Sequence, residues 1–358
     1  MIYLNHAAIS PTSFRVREAV NKYLERRSLK DIECYPWAPK LVNETKRLIA
    51  DIIHTTSDRI AFTLNTAEGL NILADGLEWN QGDRILLYRY EYPSNVYPFL
   101  NQARKGVVID FYDPKDHRIT LDVIKEHVKP ETKLVSLSSV QFSTGYRADL
   151  EAIGKFCKEN NIVFSVDGIQ SVPYRSLDVT KCKIDFLSVG SHKWMMGTEG
   201  VAFIYVSERV QKLIHQSAMG WTSVKDVFDH FNFDTNRLRD DAGRYENGTL
   251  NYFGIVGMNA ALKFFAEFGF AEMEKNTLAL SGIIIDMLEK RGVEVVTPKN
   301  ETERAGIVSA YIDNAEEVVK KLLQKNIIVA FRAGRIRFAP YFYNTEEEVR
   351  KAVNAVFD

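Results

Sequence analysis

Short apolar runs rich in β-branched and aromatic residues recur along the first 210 residues of the chain. They cover residues 59–64, 84–88, 107–112, 134–140, 162–167, 185–190 and 201–206. Amphipathic stretches with helical spacing, such as residues 121–127 and 150–160, lie between most of them. Strands that alternate with helices in this way are typical of an α/β domain. The pattern predicts a mostly parallel, seven-stranded sheet.

The N-terminal region carries a helical pattern whose apolar positions share one face. These positions are Phe14, Val16, Val20 and Leu24. Thr12 or Ser13 precedes them, and either side chain can cap the first turn of a helix. We expect this helix to pack on the sheet.

The pattern changes beyond residue 251 to two long helical stretches, at residues 253–268 and 271–291. Further runs predict strands at 293–296 and 307–312, a helix at 315–324, a strand pair within 327–338 and a final helix at 345–357. The sequence contains no long Gly/Pro linker, so we expect the two domains to be closely docked. We predict an N-terminal segment (1–15) packing with the small domain, a large domain (16–250) and a small C-terminal α/β domain (251–358).

Charge and cysteine content narrow the class of protein. The 46 Lys and Arg residues nearly balance the 47 Asp and Glu residues, so no net charge favours nucleic acid or an acidic membrane surface. Cys34, Cys157 and Cys182 have neither CxxC nor Cys/His metal spacing. No stretch approaches the roughly 20 apolar residues of a membrane span, and the N-terminus has no targeting pattern. We expect a soluble cytoplasmic protein that binds no metal, nucleic acid or membrane.

Polar residues follow several predicted strands, at the edge where open α/β sheets bind ligands. Asp167 ends the strand 162–167, Gln170 follows it, and Lys193 follows the strand 185–190. A lysine amine can form a Schiff base with the aldehyde of pyridoxal phosphate, and a buried carboxylate can keep the pyridine nitrogen of that cofactor protonated. Each residue alone is more often a solvated lysine or a helix cap. The hypothesis therefore depends on the other residues at this edge.

Other strand ends suit the same cofactor. Residues 65–69 open a helix whose free N–H groups can hold a phosphate, or they form an ordinary capped turn. Residues 90–95 offer an aromatic ring for stacking or for the core. Gln141 can donate to a phenolate or a carboxylate, or remain solvated. Arg335 and Arg337 share one face of a predicted strand, where an arginine can clamp a carboxylate or stay in solvent.

Together these motifs resemble the class V aminotransferase family, and within it the branch of group II cysteine desulfurases, selenocysteine lyases and isopenicillin N epimerase-like proteins. The matching segments span nearly the whole chain, at residues 3–8, 65–69, 167–170, 191–193, 245–249, 337 and 343–347. The resemblance implies the pyridoxal-phosphate-dependent transferase fold of type I. It also implies an enzyme that acts on a small-molecule α-amino acid through an external aldimine.

The resemblance assigns a role to each candidate. Lys193 would bear the cofactor and act as the base, Asp167 would pair with the pyridine nitrogen, and Gln170 would bond the ring oxygen. The ring-stacking position is taken by Tyr92. Phosphate-binding positions are matched by Thr66, Ala67, Ser191, His192 and Thr249. Thr249 would reach the phosphate of a partner subunit, so the resemblance implies a homodimer with shared active sites. Gln141 and Arg337 would hold the substrate carboxylate, and His6 would border the pocket.

The chain departs from the desulfurases of this branch at one point. Those enzymes carry a sulfur-accepting cysteine in a loop between two arginines, whereas only four residues separate Arg332 from Arg337 here, and none is cysteine. An aminotransferase or a C–S lyase resembling selenocysteine lyase is therefore expected. A desulfurase using another cysteine such as Cys34, an amino-acid epimerase and a non-catalytic binding protein remain as alternatives.

Overall fold

The computed structural model describes residues 1–30 and 32–358. Its strands are β1 (Ile2–Tyr3), β2 (Ile60–Thr63), β3 (Arg84–Tyr88), β4 (Val108–Tyr112), β5 (Thr132–Ser138), β6 (Val163–Asp167), β7 (Phe186–Gly190), β8 (Ala202–Val206), β9 (Val308–Ala310), β10 (Ile327–Ile328), β11 (Ala330–Arg332) and β12 (Arg335–Phe338). Its α-helices are α1 (Phe14–Leu29), α2 (Ala38–Ile53), α3 (Thr66–Gly76), α4 (Tyr97–Leu100), α5 (Leu121–His127), α6 (Leu150–Glu159), α7 (Glu208–Gln211), α8 (Tyr252–Phe268), α9 (Phe270–Glu289), α10 (Ala315–Gln324) and α11 (Glu346–Asn354).

Strands β2 to β8 form one sheet in the order β2-β8-β7-β6-β5-β3-β4. Neighbouring strands run parallel except at β8, which is antiparallel to both β2 and β7. Every residue of β6, β7 and β8 is buried, as expected of strands covered on both faces. The predicted mostly parallel, seven-stranded sheet is confirmed.

The parallel arrangement brings separated polar segments to one edge of the sheet. Asp167 at the end of β6 is in register with Ser138 of β5 and with Ser188 of β7. The chain segments that leave β5, β6 and β7 therefore start side by side. This edge carries the residues that follow the strands.

A smaller antiparallel sheet has the order β11-β12-β9, and β1 pairs in parallel with β10. Only Ala333 and Gly334 connect β11 to β12, with φ angles of 50° and 76°. Two successive left-handed residues are typical of a tight hairpin turn, and glycine adopts this conformation without a Cβ clash. The hairpin fixes the spacing between Arg332 and Arg337.

Helix α1 packs differently from the sequence expectation. Ser13 caps it, because the Ser13 hydroxyl accepts from the N–H of Val16 at 3.2 Å. Val16 is buried, but Phe14 and Leu24 are 65% and 42% exposed. The main neighbour of α1 is α8, so the expectation that it packs on the sheet is wrong. An apolar face identifies a buried surface but not the element that covers it.

Two other elements differ from the pattern. Helix α2 was not predicted, although Ile49 and Ile53 lie on one face of it and are buried. Residues 293–296, predicted as a strand, contribute only a single bridge, between Val295 and Ala310. Among the described helices, none is by itself long and apolar enough to span a membrane; α8 and α9 pass that test only as a pair bent by 84°.

Candidate active site

A cavity of about 310 Å³ opens at the carboxyl edge of the large sheet. Its lining residues are Ala7, Ala8, Asn65, Thr66, Ala67, Tyr92, Ser94, Phe142, Asp167, Ile169, Gln170, His192, Lys193, Arg332 and Arg337. Eight of the predicted site residues meet there: Thr66, Ala67, Tyr92, Asp167, Gln170, His192, Lys193 and Arg337. The β11–β12 hairpin supplies the two arginines, so the small sheet closes one side of the cavity.

Lys193 and Asp167 are both almost fully buried, at 8% and 1% exposure. Burial lowers the pKa of Lys193 because the ammonium form loses hydration; Asp167 opposes this shift, and Arg337 and Arg332 add to it. Burial likewise raises the pKa of Asp167, although the N–H of Ile169 donates to its Oδ1 at 2.9 Å. The pair thus offers a nucleophilic amine and a carboxyl group that ionises readily beside a further cation.

Gln170 is held by two hydrogen bonds, one to Ala7 and one to Trp194. Its Nε2 donates to the carbonyl of Ala7 at 3.0 Å, and its Oε1 accepts from Nε1 of Trp194 at 2.7 Å. The indole N–H is only a donor, so it fixes which end of the amide is oxygen. The second hydrogen on Nε2 remains for an acceptor inside the cavity.

The first turn of α3 presents free donors to the cavity. Asn65 caps it by accepting from the N–H of Glu68 at 2.9 Å. The Thr66 hydroxyl is buried, and no hydrogen-bond partner for it exists among the described residues. The first N–H groups of a helix also lack intrahelical acceptors. This combination suits a phosphate. His192 lines the same cavity, and burial lowers the pKa of its imidazole.

Arg337 is a buried guanidinium without a carboxylate partner in the described part of the chain. It is 2% exposed, and its Nη1 donates to the carbonyl of Phe142 at 2.8 Å. Its Nη2 lies 3.3 Å from Oδ1 of Asn5, and its Nε has no acceptor. Burial, with Arg332 nearby, lowers its pKa to about 10, so it remains charged at neutral pH. Such a group suits a substrate carboxylate.

Gln141 does not line the cavity in this structure, and its predicted role at the substrate carboxylate stays a prediction. It is completely buried, and its Nε2 donates to Oε1 of Glu91 at 2.7 Å. Glu91 also accepts from the N–H and the hydroxyl of Ser138, at 2.7 and 2.5 Å. The neighbouring Phe142 lines the cavity in its place. The physical reason is Glu91, a buried acid that needs donors and draws the Gln141 amide away from the cavity.

Three more predicted residues lie outside the cavity lining. The Ser191 hydroxyl donates to the carbonyl of Thr198. Both nitrogens of His6 are engaged, Nδ1 with the carbonyl of Ala339 and Nε2 with the Tyr343 hydroxyl, each at 2.7 Å. Thr249 is exposed on the surface. For His6, burial lowers the pKa to about 4, so the imidazole is neutral at pH 7. Its predicted place at the border of the substrate pocket stays a prediction. The predicted contact of Thr249 with a partner subunit stays a prediction.

Two residues of this region were missed by sequence reasoning. Trp194 is completely buried, orients Gln170 and accepts from the Tyr341 hydroxyl through its carbonyl at 2.5 Å. The Glu91 carboxylate accepts the hydrogen bonds of Ser138 and Gln141 described above. In the sequence, a tryptophan beside a candidate lysine looks like any other core tryptophan. An acidic residue next to Tyr92, directly after an apolar strand, was a detectable signal, because burial there would shift its pKa.

Pyridoxal phosphate fits these residues. Thr66 and the start of α3 match its phosphate, Asp167 its ring nitrogen and Gln170 its ring oxygen. The ring of Tyr92, whose centre lies 5.1 Å from Nζ of Lys193, matches the face of the pyridine. Lys193 matches the aldehyde. Each contact uses a group that lacks a competing partner or retains a free hydrogen, which is what a preformed ligand site requires.

None of the three cysteines lines this cavity. Cys157 is fully buried in α6, and burial raises its pKa to about 12. Cys182 lines a separate cavity of about 600 Å³ that contains no predicted site residue, and burial raises its pKa to about 11. Cys34 is partly buried before α2. Thiolates are the reactive form, so Cys157 and Cys182 are poor nucleophiles.

Known proteins resemble the chain over nearly its whole length. Residues 2–352 match the family described as aminotransferase class-V. A probable cysteine desulfurase of Pyrococcus abyssi is 29% identical, covering 98% of this chain and 92% of its own. The apo structure of a cysteine desulfurase from Thermococcus onnurineus NA1 superimposes with a TM-score of 0.89 at 25% identity, covering 99% and 93% of the two chains.

A second structure, the cystine C–S lyase C-DES in complex with cysteine persulfide, has a TM-score of 0.90 at 23% identity and covers 100% of this chain and 97% of its own. This likeness shows the fold. The family match covers more than nine-tenths of the sequence and agrees with the residues that meet around Lys193. The chain therefore belongs to the class-V aminotransferase family and is a pyridoxal-phosphate-dependent enzyme.

Proposed function

We propose that this chain is a C–S lyase that acts on a sulfur-containing α-amino acid and releases the sulfur as a small molecule instead of passing it to a cysteine of its own. The observation that carries the proposal is the two-residue turn between β11 and β12. It brings Arg332 and Arg337 into the cavity that holds Lys193, and neither of its two residues, Ala333 and Gly334, is a cysteine. The names of the relatives, desulfurase and C–S lyase, support the substrate class.

Each of four cavity residues has a distinct role in the proposed reaction. Arg337 holds the substrate carboxylate through its free N–H groups. Lys193 would hold the cofactor through its aldehyde and, once released, would take the proton from the α-carbon, because burial lowers the pKa of its amine. Asp167 would hold a proton on the ring nitrogen of the cofactor, and Gln170 would donate to its ring oxygen. When bound, pyridoxal phosphate supplies an electron sink that makes the α-proton acidic.

The elimination then requires a leaving group on the β-carbon. The C–S bond breaks with its electron pair on sulfur, and a proton from His192 or solvent can accompany the departing thiolate. With L-cysteine and one water, the balanced products are sulfide, ammonia and pyruvate. No protein thiol takes part.

The test is product analysis with the cofactor-loaded protein. Incubation with L-cysteine or L-cystine should give pyruvate and ammonia in equal amounts, and Lys193→Ala should give neither. Alanine with a persulfide on Cys34, Cys157 or Cys182 would identify a desulfurase instead. A keto acid that retains sulfur would identify an aminotransferase, and racemised substrate an epimerase. A protein that takes up no pyridoxal phosphate would refute every one of these reactions.

The homodimer implied by the resemblance is also proposed here. Thr249 supports it, because it lies exposed at the end of the turn formed by residues 245–249 and does not line the cavity of its own chain. In the proposed dimer, Thr249 contacts the phosphate bound in the partner subunit.

A further inference from the structure

A second cavity, separate from the one around Lys193, lies against the segment that follows β6. Its volume is about 600 Å³, which is within the range of small-molecule sites, roughly 300 to 1,000 Å³. The two cavities have no lining residue in common. The charged and hydroxyl-bearing residues that line the second cavity are Thr120, Ser139, Tyr146, Arg147, Asp149, Glu151, Ser171, Ser176, Asp178, Lys181, Thr302 and Glu303.

Arg147 is a poorly satisfied cation in the wall of this second cavity. It is half-buried, and its Nη1 and Nη2 lie 3.3 and 3.4 Å from the carbonyl oxygens of Thr302 and Ser176. Charge-assisted hydrogen bonds are shorter, about 2.7 to 2.9 Å. Burial lowers the pKa of Arg147, because the guanidinium loses hydration. The side chain therefore retains the capacity to bind a carboxylate.

The other charged pairs around the cavity are complete. Lys181 pairs with Glu151 at 2.8 Å, and Glu303 pairs with Arg118 at 3.2 Å. Arg147 has no ion pair within residues 1–30 and 32–358. Of the two cations that line the cavity, Arg147 is thus the one whose charge is available to a ligand.

Two acids of the same cavity also lack a cation. The Oδ1 of Asp149 accepts from the N–H of Ala152 at 3.1 Å, and the Oδ1 of Asp178 accepts from the N–H of Lys181 at 2.8 Å. Neither carboxylate has an ion pair with a Lys or Arg side chain in the described part of the chain. A carboxylate has about four acceptor sites, so each can also accept from an ammonium group. These acids repel a ligand that carries only negative charge.

One wall of the second cavity is hydrogen-bonded to the turn that carries Asp167. The hydroxyl oxygens of Ser139 and Ser171 lie 2.7 Å apart. Ser139 Oγ is 3.2 Å from the carbonyl oxygen of Asp167, and Ser171 Oγ is 3.1 Å from that of Gly168. A molecule bound in the second cavity would contact the two serines that support this turn.

We propose that the second cavity binds a small α-amino acid, with its carboxylate on Arg147 and its ammonium group on Asp149 and Asp178. A zwitterion satisfies the unpaired cation and the unpaired acids together, whereas a simple anion or a simple amine satisfies only one kind of group. Lys193 does not line this cavity, so the amino acid bound there is a ligand and is not a substrate. The site does not depend on the reaction proposed above.

Protection of a cysteine tests this site locally. Cys182 lines the cavity and is partly exposed, and burial raises its pKa to about 11. The cofactor-loaded protein is treated with iodoacetamide at about pH 9, where some thiolate is present, and alkylation is followed by mass spectrometry. L-Alanine at about 10 mM should slow the reaction of Cys182 at least fivefold, as expected for millimolar affinity. Cys34, which does not line the cavity, is the internal control. An unchanged rate at Cys182, or equal slowing at Cys34, would overturn the proposal.

Variants of the charged residues test the mode of binding. Arg147→Gln should raise the half-protecting concentration of L-alanine at least tenfold, the effect of losing one charge-assisted hydrogen bond. Lys181→Gln, which removes the paired lysine of the same cavity, should change it less than twofold. The double variant Asp149→Asn/Asp178→Asn keeps acceptors for both backbone N–H groups and should lose the preference for L-alanine over pyruvate. If Arg147→Gln does not fold, this double variant decides.

Two outcomes would identify a different ligand or a different site. Equal protection of the wild-type protein by pyruvate or inorganic phosphate would overturn the assignment of a zwitterion. Arg337→Lys, in the active site, should leave the protection of Cys182 unchanged. Loss of protection in that variant would show that L-alanine acts from the cavity around Lys193 and would overturn the second site. Since alkylation is measured without turnover, the result is independent of whether the protein is a C–S lyase.

Discussion

Replacing Arg337 by lysine separates binding of the substrate from binding of the cofactor. The guanidinium of Arg337 contacts Phe142 and Asn5 with its two terminal nitrogens and keeps a free Nε. Lysine retains the positive charge, but a single ammonium cannot satisfy these two oxygens and also present two N–H groups to a carboxylate. We therefore expect weaker binding of the amino acid with little change in binding of pyridoxal phosphate.

The size of the effect follows from the burial of the site. Arg337 is 2% exposed, so a lost contact is not replaced by water. One charge-assisted hydrogen bond is worth about 1.5 to 3 kcal/mol, which corresponds to roughly 10- to 150-fold weaker binding. The cofactor contacts of Lys193, Asp167 and Thr66 are unchanged, so the affinity for pyridoxal phosphate should stay within about threefold.

The assay is a titration of the cofactor-loaded protein with glycine and with L-cysteine, followed by the visible absorbance of the cofactor. A separate titration of the apo-protein with pyridoxal phosphate gives the cofactor affinity. Arg335→Lys is the matched control, because Arg335 lies on the same face of β12 and is 4% exposed but does not line the cavity. Equal losses for cofactor and amino acid, or equal losses in the two variants, would refute the carboxylate assignment.

Three further predictions use single variants. Lys193→Ala should abolish the visible absorbance band of the bound cofactor; a band that persists after dialysis would contradict the assignment of the anchor. Trp194→Phe should release the Gln170 amide, lower the free energy of unfolding by about 1 to 3 kcal/mol and raise the pKa at which the cofactor band titrates. Tyr341→Phe, which keeps the indole donor, should leave that titration unchanged, and a shift there would show that Trp194 acts only through packing. For His6, the folded-state pKa of about 4 lies below the unfolded value of about 6.5, so only the unfolded chain binds the proton in that window and stability should fall by about 3 kcal/mol from pH 6.5 to 4. His6→Gln should lose this pH dependence, and a variant that keeps it would exclude His6 as the cause.

The strands of the large domain were predictable because each is a short apolar run bounded by polar residues. Arg84–Tyr88 has the predicted bounds, and the other strands of this sheet differ from theirs by one or two residues. The packing partner of α1 was not predictable, since an amphipathic stripe records only that one face is buried. Residues 293–296 were predicted as a strand but form only one bridge. An apolar run of four residues does not determine whether a partner strand lies alongside it.

Some residues of the candidate site were also predictable from the sequence, and others were not. Asp167, Lys193 and Gln170 were identified from their positions after strands, since parallel strands deliver such residues to one edge. Gln141 and His6 were placed in the pocket by resemblance, and the structure gives each a different set of partners. Glu91 and Tyr343 provide hydrogen-bond partners for these two side chains from distant parts of the chain.

The sequence by itself therefore determined the order of the strands along the chain, the polar residues at their ends and the chemical types that suit pyridoxal phosphate. These features depend on local spacing and on residue identity. Only the tertiary structure decided which of those side chains face the cavity, that Trp194 sets the orientation of Gln170, and that the short hairpin brings Arg332 and Arg337 beside Lys193. Those outcomes depend on contacts between residues 24 to 195 positions apart in the chain. Burial and hydrogen bonding are properties of the packed chain, and no single stretch of sequence contains them.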